Sequence, residues 1–366
     1  MMIERNKSLR ALNTFGIDAT STWYADYHSV DELLAVLQQR DQLSEDSQKP
    51  CRILHIGGGS NLLFLRDYEG LVLHNAINTV EVVSESDQDV VIRVGGGMVF
   101  DDLIQYVLNK GWYGIENLSI VPGEVGASAV QNIGAYGVEA KDSIELIELV
   151  DLQTGQARRM TNSEARYAYR YSLLKSPELW GKYAVTYVHF RLQKHFEPRI
   201  EYGGLRSAYE SSLSEVELQS LKLLSGKAAC DEQQMKALAL KLRDVIIAMR
   251  NGKLPDPKVL GNAGSFFMNP VISRADFLKI KSEYPEVPSY DVDPEHVKVP
   301  AGWLIEKCGW KGKSLGRAGV YEKQALVLVN RGGAVGKDIV ALSDAIRKDV
   351  MSVFGVDIHP EVNFIS

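Results

Sequence analysis

Val121-Pro122-Gly123-Glu124-Val125-Gly126-Ala127-Ser128-Ala129, continued after Val130 by Gln131-Asn132-Ile133-Gly134-Ala135-Tyr136-Gly137, is the stretch on which the reading turns. Glycine takes positive φ at little cost and lets backbone N–H groups approach a ligand closely, which is how loops cradle a pyrophosphate. Two further glycine segments precede it, Gly57-Gly58-Gly59-Ser60-Asn61 and Gly95-Gly96-Gly97. None matches GxGxxG at a strand-to-helix junction with an acidic residue about twenty positions on, and none matches GxxxxGK[ST], so neither the Rossmann nor the ATPase reading is supported. A strand-to-helix turn explains Gly95 to Gly97 alone. The other two segments together favour contact with a large phosphate-bearing ligand, tight turns being the plainer alternative.

Outward from this block the pattern is strand, glycine turn, helix, twice over. Ser29 with Glu32 reads as a capping box opening a helix over Asp31 to Arg40, and Arg52 to Ile56 as a short buried strand. Val90 to Val94 reads as a strand leading to a helix over Asp101 to Lys110 that ends at Gly111. Ile144 to Asp151 and Tyr183 to Leu192 are β-branched and apolar, and between them Thr161 with Glu164 makes another capping box before Tyr167, Tyr169 and Tyr171. Leu213 to Arg250 turns helical, with Met235, Leu238, Leu242, Val245 and Ile246 at three-to-four-residue spacing, which places a boundary near Pro198. A last helix spans Lys337 to Phe354, stops at Gly355, and leaves an extended tail, Val356 to Ser366, fit to return as a strand. The polar stretch Asp41 to Pro50 reads as a surface loop. The class is α+β.

A chain of 366 residues exceeds one ordinary core, so a site in a cleft between domains is expected. Its 45% hydrophobic and 24% charged residues are ordinary globular composition, and no stretch approaches the roughly 18 apolar residues of a membrane span. The polar start, Met1 to Arg10, lacks the apolar core of a signal peptide, and a cytoplasmic location is expected. Cys51, Cys230 and Cys308 lie far apart without a CxxC pair, and read as buried thiols in a reducing compartment. The net charge of -6 argues against nonspecific nucleic-acid binding.

Three more features bear on chemistry. Asn262-Ala263-Gly264-Ser265-Phe266-Phe267-Met268-Asn269-Pro270 sets one hydroxyl against two aromatics; on its residues alone Ser265 is as well a turn or cap residue as a proton donor, and no GxSxG elbow surrounds it. Arg250, Lys253 and Lys258 gather before it as an anion-site candidate, against the commoner reading of solvated charge. The seven histidines, among them His55, His189 and His359, show no HExxH or paired spacing, and no metal is expected.

Taken in order, Gly57 to Phe64, Ile120 to Gly137, Tyr169-Arg170-Tyr171-Ser172, Leu254-Pro255-Asp256-Pro257-Lys258, Gly261 to Pro270, Ala301-Gly302-Trp303-Leu304-Ile305-Glu306 and Pro360-Glu361-Val362 resemble the FAD-dependent UDP-N-acetylenolpyruvoylglucosamine reductases, the MurB family, over nearly the whole chain. Glu201-Tyr202-Gly203-Gly204 resembles the tyrosine-loop element of that family's type I.

The resemblance implies a vanillyl-alcohol-oxidase/PCMH-like FAD-binding fold with a separate α+β substrate domain: an FAD domain over 1–198 in subdomains of about 1–70 and 71–198, a substrate domain over 199–354, and a tail, 355–366, returning to the site. FAD would lie against Gly57, Gly58, Gly59, Ser60 and Asn61 and against Pro122, Gly123, Gly126, Ala127, Ser128, Asn132, Gly134 and Tyr136. It implies NADPH as electron donor and reduction of UDP-N-acetylglucosamine enolpyruvate to UDP-N-acetylmuramate for peptidoglycan synthesis. Arg170 would bind the enolpyruvyl carboxylate, Glu361 would help stabilise the enolic state, and Ser265 would donate the proton to carbon; Tyr202, Arg250, Lys253, Asn269 and Gln324 would line the UDP-sugar site. A monomer is implied, with no nucleic-acid or membrane partner.

His359 departs from the pattern, where an acidic residue is expected. The competing readings are another FAD-dependent oxidoreductase of the same fold, such as an alcohol oxidase, and a flavin- or nucleotide-binding regulator without turnover.

Overall fold

The computed structural model describes residues 2–43, 51–225 and 231–366. The chain forms two compact units, the first from residues 1–6, 22–58 and 69–250 and the second from 7–21, 59–68 and 251–366. The loop expected over Asp41 to Pro50 lies from residue 44 onward outside the described residues, as does Cys230.

In the first unit, Ser29 caps α1 (Val30–Gln39) by accepting the Glu32 N–H at 3.1 Å, while Glu32 accepts the His28 N–H at 2.7 Å, so the return arm of the box lands one residue early. Ile53–Ile56 pairs in parallel with Leu71 to His74 of the strand Tyr68–Asn75, and the sheet continues outward through Thr20–Tyr27 to Glu4–Ser8. A five-stranded antiparallel sheet runs in the order Ala157–Thr161, Ile144–Asp151, Tyr183–Gln193, Asp89–Gly95, Val80–Glu85. The turn after Asp89–Gly95 is structural: a Cβ on Gly95 would stand 2.2 Å from the Ile77 carbonyl oxygen and one on Gly97 2.2 Å from that of Asn75. Behind it come α2 (Phe100–Asn109) and α3 (Val125–Gln131). Thr161 and Glu164 exchange the hydrogen bonds of a capping box, yet no helix follows, because Arg166 takes φ 46° and ends the turn.

The compositional change near residue 200 marks a change from sheet to helix rather than a change of core. α4 (Leu205–Ser212), α5 (Glu215–Ser225) and α6 (Glu232–Lys253) bury Leu205, Tyr209, Leu238, Leu242 and Ile246 in the same cluster as Ile92, Val94, Leu103 and Val107. Each such side chain contributes roughly 1.5–3 kcal/mol relative to exposure, which keeps α4 to α6 with the sheet and moves the division from Pro198 to Arg250.

The second unit holds an antiparallel sheet in the order Asn262–Ser265, Val327–Asn330, Ala318–Val320, Ser314–Leu315, and a three-stranded one in the order Val271–Ser273, His296–Lys298, Tyr290–Asp291. With them come α7 (Arg274–Glu283), α8 (Ala301–Lys307) and α9 (Gly336–Phe354). α9 buries Ile339, Leu342, Ile346 and Val350 along one stripe and ends on Gly355 at φ 66°. The tail then returns as a strand, Asn363–Ile365, parallel to Leu62–Phe64. Cys51 and Cys308 are half-buried rather than buried, and burial pushes the Cys308 thiol up to about 11.

Candidate active site

Gly57 and Gly58 leave the strand Ile53–Ile56 and face Glu124, the residue before α3. A Cβ on Gly57 would lie 2.8 Å from Glu124 Oε2, so glycine there is what lets the carboxylate in, while one on Gly58 would be in ordinary contact at 3.4 Å from Oε1. The other face of Glu124 is built on two adjacent strands. His74 Nε2 is 3.1 Å from Glu124 Oε1, His74 Nδ1 is 2.7 Å from Asp26 Oδ1, and the Tyr24 hydroxyl donates to the same Asp26 oxygen. Gly123 takes φ 123° and its carbonyl accepts the Phe100 N–H at 3.0 Å. The N–H groups of Val125 and Gly126 donate to Met98 and Gly96 at 2.9 and 2.8 Å, so these two amides brace the loop. Ser128 is buried and its hydroxyl donates to the Val125 carbonyl at 2.7 Å, whereas Pro122 is exposed and Ala127 half-buried.

Behind α3 the chain holds a guanidinium. Asn132 adopts φ 47° at the helix end, and its side chain is spent internally, donating to Glu139 and to the Ala168 carbonyl at 2.9 Å each and accepting the Lys141 N–H at 3.0 Å. Its own carbonyl and that of Gly134 accept Arg170 Nη1 and Nη2 at 3.4 and 2.7 Å. A Cβ on Gly134 would stand 2.9 Å from Arg170 Nη1, and Arg170 itself takes φ 55°. Tyr136, also at φ 47°, meets the half-exposed Tyr202 ring edge-on at 6.3 Å. Arg250, near the end of α6, has its Nε buried with no hydrogen-bond partner among the described residues. Burial lowers the Arg250 pKa, Tyr136 offsets part of this, and the like charge of Arg170 adds to it. An orphaned cationic donor of this kind fits an anionic group of a ligand. Arg170, Gly134, Asn132, Tyr136, Tyr202 and Arg250 are thus brought together in the first unit.

In the second unit the tail is stitched to the glycine loop. Asn61, buried, donates from Nδ2 to the Glu361 carbonyl at 3.2 Å, and its carbonyl accepts the Asn363 N–H at 3.0 Å. Gly59 takes φ 62° where a Cβ would sit 1.9 Å from the Leu12 carbonyl oxygen, so packing alone requires it; Ser60 is half-buried. Phe267 bridges Pro360, the Glu361 N–H donates to Phe266 at 2.7 Å and the Met268 N–H to His359 at 3.0 Å. This ladder holds Glu361, half-buried, opposite the residue that follows the exposed Ser265. Gly264 before it takes φ 68° with open space where a side chain would begin. Asn269 accepts the Ala301 N–H at 3.0 Å and Gln324 the Leu326 N–H at 3.3 Å, each a contact that orients the amide. Lys253 and Lys258 are exposed in this unit while Arg250 belongs to the first, so the basic cluster read from the sequence is divided between units.

Sequence reasoning missed Glu124, His74 and Asp26, because a charge inside a glycine run signals nothing until the strands that neutralise it are paired. It also missed Asp101, whose carboxylate takes Arg243 in a bidentate contact at 2.9 Å and the N–H of Ile120, at φ 50°, at 2.7 Å. A β-branched residue at positive φ is strained, and this clamp sets it at the mouth of the glycine block. Among the described residues no group of histidine, cysteine and carboxylates suits a metal ion, and no helix is long and apolar enough to cross a membrane.

Comparison with known proteins matches residues 29–161 to a family model described as an FAD binding domain and residues 256–365 to one described as the UDP-N-acetylenolpyruvoylglucosamine reductase C-terminal domain. UDP-N-acetylenolpyruvoylglucosamine reductase of Bacteroides fragilis is 50% identical over 99% of this chain and 100% of its own length. The enzyme of Porphyromonas gingivalis is 43% identical over the full length of both. The crystal structure of the Thermus caldophilus enzyme superposes over 100% of both chains at a TM-score of 0.65 with 20% identity, which bears on the fold. The glycine loops, the α+β architecture and the full-length likeness agree, and the chain belongs to the UDP-N-acetylenolpyruvoylglucosamine reductase family.

Proposed function

We propose that this protein reduces UDP-N-acetylglucosamine enolpyruvate to UDP-N-acetylmuramate with electrons from NADPH, as a flavoenzyme of peptidoglycan precursor synthesis. The observation that carries this reading is likeness along the entire chain to reductases of that name. FAD, when bound, supplies a hydride to the vinyl carbon. The protein then has two tasks: to hold the carboxylate, on which negative charge builds in the enolic state, and to deliver one proton to the adjacent carbon.

Arg170 is the group for the first task, since backbone carbonyls already fix its guanidinium. Glu361 acts with it, and Ser265 delivers the proton. An exposed hydroxyl is a poor acid in water, so the bound substrate must itself exclude water from Ser265. Lys253 is the diphosphate ligand, and Tyr202, Arg250, Asn269 and Gln324 are the other substrate-binding residues by the family likeness; the two glycines beside Tyr202, at φ 42° and 62°, make its loop suited to closing over substrate. In the first unit Gly57, Gly58, Pro122, Gly123, Gly126, Ala127, Gly134 and Tyr136 form the cofactor-contacting set; Asn132 and Ser128 support it from behind, as their hydrogen bonds indicate. Gly59, Ser60 and Asn61 complete the set on sequence grounds. We count α4 to α6 to the cofactor unit and infer a monomeric, cytoplasmic enzyme.

The test is stoichiometric. Each NADPH oxidised should require one enolpyruvyl sugar and yield one UDP-N-acetylmuramate by mass spectrometry. NADPH consumption that ignores the sugar would refute the assignment.

A further inference from the structure

The Glu124 side chain is 9% exposed, and its Oε2 is buried with no hydrogen-bond partner among the described residues. Its other oxygen is tied to His74 at 3.1 Å. Both ring nitrogens of His74 face carboxylate oxygens, so the ring donates on both sides as imidazolium and balances the charge. The carboxylate is therefore locked in orientation from below while its second oxygen points at Gly57, where a Cβ would be 2.8 Å away. A buried carboxylate oxygen left without a donor is costly, and neither the His74 pair nor the glycine backbone removes that cost.

We propose that Glu124 is a cofactor-binding residue whose Oε2 accepts a hydrogen bond from a hydroxyl of the FAD, on the ribityl chain or the adenosine ribose. This rests on the reading that FAD lies against Gly57, Gly58 and the Val121–Ala129 block. A carboxylate repels a diphosphate but is a good acceptor for sugar hydroxyls, the way acidic residues hold a nucleotide ribose elsewhere. Glu124 thus fixes which part of the cofactor passes over Gly57: a polyol, with the phosphates displaced from it.

The experiment uses flavin-stripped full-length protein, wild type and Glu124→Gln, titrated by quenching of flavin fluorescence with FAD and FMN and by competition with ADP. Glutamine keeps an acceptor for His74 but turns an amide donor toward Gly57, so FAD should bind about tenfold or more weakly. A loss seen also with FMN assigns the ribityl hydroxyls, and one seen also with ADP assigns the ribose; either supports the proposal. If Glu124→Gln does not fold, Glu124→Asp, which withdraws the oxygen from Gly57 while keeping its charge, is read the same way. Unchanged FAD affinity in a folded variant overturns the proposal and leaves the flavin reading intact. Wild-type protein that takes up none of the three would instead sink the flavin reading and the proposal with it.

Discussion

At the scale of single residues, the two sides of the proposed chemistry are prepared differently. Arg170 is fixed by the Gly134 and Asn132 carbonyls and by its own left-handed backbone, whereas Ser265 is an exposed hydroxyl at the end of a short strand. Strain and fixed donors suit a binding group that must be in place before substrate arrives. A proton donor is needed only after hydride has been transferred. Replacing Ser265 with alanine should therefore leave reduction of the flavin by NADPH nearly unchanged and slow its reoxidation by the enolpyruvyl sugar by about 10²–10⁴-fold, as loss of a general acid does. Stopped-flow absorbance separates the two steps, and equal slowing of both would make Ser265 a structural residue. What the sequence told of these residues differs too. On its residues alone Ser265 stands equally as a turn residue and as a proton donor, and Glu361 is named only through the resemblance, because a hydroxyl in a small-residue turn and a carboxylate near a terminus look ordinary, and nothing local records that the Phe266 and Met268 ladder pairs with His359 and Glu361.

Among elements, the parallel strands Ile53–Ile56 and Tyr68–Asn75 carry two histidines of opposite character. His55 is buried against the Tyr27 hydroxyl at 2.7 Å, and burial, followed by the charge of His74, pushes its pKa down to about 4. For His74 burial acts downward, but the hydrogen bonds and charges of Glu124 and Asp26 outweigh it and hold the pKa above the ordinary value. The unfolded chain binds the proton on His55 that the folded one refuses, so folding free energy is lost as pH falls from 6.5 towards 4, up to about 3 kcal/mol from this one group. His74 contributes fully below 6.5 and its contribution is lost as pH rises through its raised folded value. Urea unfolding across pH should show the fall on the acid side reduced in His55→Phe and that on the alkaline side reduced in His74→Gln; unchanged slopes in both variants would contradict this. The strands themselves were legible from β-branched runs and glycine turns, since those signals are local. The pairing that brings Asp26 and Glu124 to either side of His74 joins residues far apart in the chain, and no spacing rule reaches it. The box at Thr161 shows the converse: the local signal was present, and Arg166 at positive φ overrode it.

For the whole molecule, the class of fold and the cofactor followed from ordered motifs, while the division into units did not. A change of composition near Pro198 was a sound sign of helices, but composition is silent on which core those helices join; Leu238, Leu242 and Ile246 join the sheet of the first unit. The same chain lends residues 7–21 and 59–68 to the second unit, an interleaving that a linear reading of domains does not anticipate. What unites both units is the reductase family to which the full length belongs. The reductase activity comprises the two halves of one redox cycle, and each can be followed separately. Under anaerobic conditions the flavin absorbance of the FAD-loaded protein should bleach on addition of NADPH and return on addition of UDP-N-acetylglucosamine enolpyruvate. Bleaching without return would remove this substrate, and protein that shows no flavin spectrum after incubation with FAD would not be a flavoenzyme.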